Sequence, residues 1–121
     1  MELVGLCLIT DNVPALASFY KKVLEVESEG DDIYTVLKTR GTIISIYSRK
    51  AMESLNRFPA RNTGYNNFVM AFRASDLDAE YKRIKKLNPN SLKPPAADPV
   101  GNLSFSFTDP DGNIIDVVPP M

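Results

Sequence analysis

The chain has 121 residues, with 14 Lys+Arg against 15 Asp+Glu, no His and a single Cys. That is the length of one ordinary domain, and 44% hydrophobic with 24% charged residues is a globular balance, not a disordered one. A net charge of −1 supplies no global field for nucleic acid or an anionic membrane, and the absence of His excludes Ser-His-Asp and Cys-His catalysis and every imidazole metal site.

Cys7 has no partner for an internal disulfide, which fits a reducing, cytoplasmic setting. The opening MELVGLCLIT lacks a basic leader, and its apolar run is too short to span a bilayer. The expectation is a protein neither secreted nor membrane-inserted.

Residues 3–9 are almost continuously apolar, the pattern of a strand covered on both faces. Thr10, Asp11 and Asn12 supply helix-capping chemistry and Pro14 suits a first turn. Leu16, Tyr20, Val23 and Leu24 then recur at helical spacing, with Lys21 and Lys22 near the helix C-terminus. A short strand near Val26–Gly30 precedes two strands, Ile33–Lys38 and Thr42–Ser48, joined by a Thr39-Arg40-Gly41 hairpin. Residues 49–65 lack strand periodicity and read as a short helical turn and a linker.

The same order then repeats. Asn67–Arg73 reads as a strand, Ser75 and Asp76 offer a cap, and Leu77, Tyr81, Ile84 and Leu87 form a helical stripe. Asn88–Gly101 contains four prolines and leaves room for a short edge strand only. Leu103–Thr108 alternates cleanly, Asp109-Pro110-Asp111-Gly112 is a turn, and Ile114–Val118 is the last strand. Asp11 and Asp76 stand at matching places, so the pattern is an internal duplication of β-α-β-β-β. The modules are about 1–50 and 66–121, with a linker at 51–65, in one domain over 1–121.

The segments ITDNVPALASFYKKVLEV (9–26), ASDLDAEYKRI (74–84) and FTDPDGNIID (107–116), in this order and spacing, resemble the glyoxalase / bleomycin-resistance / extradiol-dioxygenase superfamily, the vicinal oxygen chelate proteins. The resemblance implies an α+β, glyoxalase-like fold in which two βαβββ modules curl their sheets into a half-open cup for a small molecule. It also implies a homodimer. Its enzymes hold a divalent metal through His, Gln or Glu on the first and last strands of each module. Carried onto this chain, those places fall on Val4, Ser45, Val69 and Asp116. Only Asp116 is a good ligand, so the expectation is no metal and no cofactor.

Strand parity, with that geometry accepted, sets Phe68, Met70, Phe72, Ile44, Ile46, Phe105 and Phe107 in the core. The same parity turns Ser45, Tyr47, Arg73, Ser104, Ser106 and Asp116 to the cup as candidate ligand-binding residues, with Arg73 the one cation and Asp116 the one anion. Arg73 either serves a ligand or reaches solvent; Asp116 either serves a ligand or accepts structural hydrogen bonds. Cys7 is expected as a small buried hydrophobe. Arg49, Arg57, Phe58, Arg61 and Tyr65 form a connector or a lid. The leading expectation is a metal-free protein of the antibiotic-sequestering, bleomycin-resistance type that performs no catalysis. The alternatives are an enzyme of the superfamily, with Asp116 as base or residual metal ligand and Arg73 stabilising an oxyanion, and a protein-interaction module.

Overall fold

A helix whose first turn is capped from the side chain before it can start sharply after a strand, and both long helices here do so. Strand β1 (Gly5–Thr10) runs into helix α1 (Val13–Leu24), whose N-cap Asn12 accepts a hydrogen bond from the Ala15 N–H at 3.1 Å. Strand β5 (Val69–Arg73) runs into α3 (Leu77–Leu87), whose N-cap Asp76 accepts from the Ala79 N–H at 3.1 Å. The computed structural model describes residues 2–55, 68–97, 101 and 103–120. Its remaining elements are β2 (Ser28–Gly30), β3 (Tyr34–Leu37), β4 (Ile43–Ser48), α2 (Arg49–Leu55), β6 (Asn90–Ala97), β7 (Leu103–Thr108) and β8 (Ile114–Val118). The predicted linker lies largely outside the described residues, as do the lid candidates Arg57, Phe58, Arg61 and Tyr65 and the strand residue Asn67.

The chain divides into two compact units, Met1–Thr63 and Gly64–Met121. Each holds one four-stranded sheet, ordered β1-β4-β3-β2 in the first and β5-β8-β7-β6 in the second. In both, the first strand pairs parallel to the last, and the other pairings are antiparallel. This is the duplicated βαβββ order expected from the sequence. A parallel return needs a crossover, and the crossover carries the helix onto one face of the sheet.

In the first unit α1 packs on β3 and β4. Leu8, Leu37, Ile44 and Ile46 are buried beneath Leu16 and Tyr20. In the second, Met70, Phe105, Phe107, Ile115 and Val117 are buried, and Tyr81 of α3 meets Phe105 edge-on at 5.3 Å. Of the residues that parity sets in the core, Met70, Ile44, Ile46, Phe105 and Phe107 are buried, Phe72 is half-buried, and Phe68, which precedes β5, is exposed.

Four expectations are corrected. Within its own unit β1 is covered on one face only: Leu8 and Thr10 are buried, whereas Cys7, of the opposite parity, is exposed. Cys7 lies on the face opposite the helix, where the described residues of its own unit supply no covering layer. The structural counterpart of Asp76 is Asn12, not Asp11; Asp11 instead pairs with Arg49 at 3.0 Å, tying the β1–α1 loop to the start of α2. Finally, β6 spans eight residues. As an edge strand it tolerates Pro94 and Pro95, which fall at the register shift between the paired residues Lys93 and Ala96.

The turn after β7 closes on Asp109, which is 1% exposed. Its carboxylate accepts from the N–H groups of Asp111 and Asn113, both at 2.9 Å, and from the Asn113 side-chain amide at 2.8 Å. Gly112 takes φ 86°, the left-handed conformation the turn requires. The β2–β3 turn uses a similar device: Asp31 accepts from the Tyr34 and Ile33 N–H groups, which hold its carboxyl below the ordinary aspartate range. Removing a buried acceptor strands its donors, at about 1–3 kcal/mol. Asp109→Ala should therefore lower stability in urea by about 2 kcal/mol, while exposed Asp111→Ala stays within about 0.5 kcal/mol of wild type. Equal effects from the two would contradict this account of the turn.

Candidate functional site

Helices cover one face of each sheet, and the other face is set by cross-strand register. In the first unit Cys7, Ser45, Val36 and Glu29 form one row across β1, β4, β3 and β2. The next row is Ile9, Tyr47 and Tyr34, and the two tyrosine rings meet edge-on with centroids 5.4 Å apart. This face is apolar and aromatic. Ser45 is only 6% exposed, its short side chain lying between longer neighbours, and its hydroxyl donates weakly to the Leu6 carbonyl at 3.5 Å.

In the second unit the open face is polar. Ala71, Asp116 and Ser106 stand directly opposite one another on β5, β8 and β7. Arg73 pairs with Val118, and Ser104 lies two residues along β7 from Ser106. Arg73 is exposed; Ser104, Ser106 and Asp116 are half-buried. Of the six candidates, the structure places Ser45 and Tyr47 together on the first sheet, and Arg73, Ser104, Ser106 and Asp116 together on the second.

One residue of this face was missed. The β6–β7 pairing has two register shifts, so that Asn90, Lys93 and Ala96 oppose Thr108, Ser106 and Ser104. Three residues of β6 pass for every two of β7, which turns each third β6 residue to the open face. Lys93 is thereby brought opposite Ser106, and Arg73 is not the only cation there. The clue in the sequence was the Pro94-Pro95 pair, which disfavours a regular period-two ladder. A separate shallow groove of about 560 Å³ runs along α1 past Ser18, Lys21, Lys22 and Glu25, on the helix side of the first unit. Its charges are of mixed sign, and no candidate residue lines it.

The sequence matches the family model Glyoxalase/Bleomycin resistance protein/Dioxygenase superfamily over residues 3–117. The chain belongs to this superfamily. Solved structures with the same fold include a glyoxalase/bleomycin resistance protein/dioxygenase family enzyme from Burkholderia phytofirmans PsJN, at TM-score 0.85 and 16% identity, covering 100% of both chains. A glyoxalase/bleomycin resistance protein/dioxygenase from Nocardioides matches at TM-score 0.82 and 21% identity, covering 98% of this chain and 83% of that one. Lactoylglutathione lyase from Agrobacterium tumefaciens matches at TM-score 0.76 and 18% identity, covering 98% and 92%. No curated protein sequence matches at a significant level.

The metal places implied by the superfamily resemblance can be tested against these residues. Val69 lies as far before the cap Asp76 as Gly5 lies before the cap Asn12, and the two residues hold equivalent ends of the parallel pairings. The first-strand place of the first unit is therefore Gly5, not Val4. A Cβ there would meet the Ile43 carbonyl oxygen at 2.7 Å, so no ligating side chain fits without moving a strand. The set becomes Gly5, Ser45, Val69 and Asp116, with one carboxylate. Among the described residues no three His, Cys, Asp or Glu side chains gather where they could hold a metal ion. The donor set does not fit a catalytic divalent metal. Among the described residues, likewise, no helix is long and apolar enough to cross a membrane.

Cys7 offers a direct check of the open face of the first sheet. Because its thiol is exposed there, a disulfide reagent should modify one thiol per chain in the native protein at a rate within about tenfold of the unfolded chain. Modification only after addition of denaturant would contradict the open face.

Proposed function

We propose that the protein binds a small organic ligand on the open faces of its sheets, without metal and without chemistry, in the manner of a bleomycin-resistance protein. One observation carries the reading: the open face of the first sheet is an apolar and aromatic surface around Tyr34 and Tyr47 with few polar groups, Ser45 among them, and the open face of the second sheet presents charges that have no ion-pair partner among the described residues. A largely apolar wall with a few placed polar groups is the composition of small-molecule sites. Arg73 and Asp116 are such charges. Each charge-assisted hydrogen bond to a ligand contributes about 1.5–3 kcal/mol. The poor donor set at the superfamily's metal places supports binding over metal-dependent catalysis.

A thermal-shift screen of metabolites and antibiotics tests this, since a ligand of the native state raises the melting temperature. For the ligand returned, at least one of Tyr47→Ala and Arg73→Ala, one on each open face, should weaken binding in calorimetric titration by about tenfold or more. Both variants binding within about twofold of wild type would remove the ligand from these faces. About one divalent ion per chain retained after dialysis would overturn the metal-free part.

We propose further that the working form is a homodimer. β1 and β5 are each an edge of their sheet, and exposed Leu3, Val4, Phe68 and Val69 cluster at their starts. Bare apolar edges are a liability that two-fold pairing relieves. Light scattering should give twice the chain mass at micromolar concentration; a monomer would count against it.

A further inference from the structure

The two shifts in the β6–β7 pairing give the second sheet an electrostatic character that its sequence conceals. Lys93 stands opposite Ser106, and Ser106 stands opposite Asp116. The three therefore share one row and one face. Arg73 lies in the adjoining row at the far edge of the sheet. Among the described residues none of these three charges has an ion-pair partner. Two cations and one anion leave this face with a positive excess, although the chain as a whole carries −1.

The spacing decides what such a row can hold. Neighbouring strands lie about 4.8 Å apart, so the backbones at Lys93 and Asp116 are separated by about 10 Å, with Ser106 between them. The lysine ammonium reaches over the serine on its four-carbon stem, while the aspartate carboxylate stays close to its own strand. An oxyanion seated between Lys93 and Ser106 gains the ammonium charge and a hydroxyl donor. Asp116, beyond it, accepts from a hydroxyl or amine of the same ligand and repels a second anion.

We infer that Lys93 is a specificity-determining residue of this face, and that the ligand carries a carboxylate or phosphate group bound by Lys93 and Ser106. The inference rests on the proposal that the open faces bind a small molecule.

The test is amide NMR titration of the full chain with three probes of similar size: benzoate, phenyl phosphate and benzamidine. Benzoate or phenyl phosphate should shift amides of β6, β7 and β8 around Lys93 and Ser106, and the stronger of the two distinguishes carboxylate from phosphate. Benzamidine should bind there at least threefold more weakly. Lys93→Gln should weaken the anionic probe roughly three- to fivefold with an unchanged melting temperature, since Lys93 is exposed. Asp116→Asn should leave that probe's affinity equal or higher, a sign that loss of structure would not produce. Benzamidine binding as tightly as the anions, or Lys93→Gln binding them like wild type, would falsify the inference while the open-face reading stands. If no probe shifts a residue on either open face, both readings fail.

Discussion

Each half of this chain depends on the parallel pairing of its first strand with its last. Two strands that run the same way cannot be joined by a hairpin, so the chain must cross over, and the crossover helix covers one face of the sheet. Tyr20, Leu16 and Ile84 are buried under this constraint. The opposite face is then left without a helix, and the register of the pairing decides its chemistry. Cys7 against Ser45, and Ala71 against Asp116, are consequences of where β1 meets β4 and β5 meets β8. A slip of one residue in either pairing would send the partners to opposite faces.

Much of this was legible in the sequence, for local reasons. The helices announce themselves through a capping side chain, a 3.6-residue apolar stripe and basic residues in the last turn. β7 alternates cleanly, and parity, with the superfamily geometry accepted, placed Ser45, Tyr47, Ser104, Ser106 and Asp116 on the face opposite the helix. The misreadings arose where a local signal is degenerate. Asp11 and Asn12 are both competent caps, and only the backbone reveals that Asn12 is the one used; that single step moves the first-strand position from Val4 to Gly5. An apolar run such as residues 3–9 reads as doubly covered, yet hydrophobicity cannot report whether a second layer arrives. β6 was underestimated because prolines weigh against strands, whereas an edge strand with bulges accommodates them.

The irregularity of β6 also shows how a sheet edge can be both protected and useful. Pro94 and Pro95 remove two backbone donors from this edge strand, and Ser91 takes a left-handed φ of 57° near the first shift. These features discourage another strand from adding to the sheet. The same shifts bring Lys93 into line with Ser106. A regular ladder with Asn90 still opposite Thr108 would face Ser106 with Leu92, and the row would carry an apolar residue where it now carries a cation.

The duplication explains how one scaffold acquires two unlike surfaces. With Asn12 matched to Asp76, the open-face positions correspond as Cys7 to Ala71, Ile9 to Arg73, Ser45 to Asp116 and Tyr47 to Val118. An apolar helix-side face recurs in the second unit, because each sheet must bury its covered face. Nothing comparable constrains the open faces, where side chains meet no packed layer of their own unit and substitutions carry little folding cost. One open face is apolar and aromatic, the other carries charges and hydroxyls. Gly5 and Val69 fit the same logic. Gly5 accepts the close approach of the Ile43 carbonyl, and Val69 has the β-branched side chain that strands favour. The polar groups of the open faces are those that hydrogen bonds and charge can address, whereas the residues at the superfamily's metal places lack the donor set for a catalytic metal.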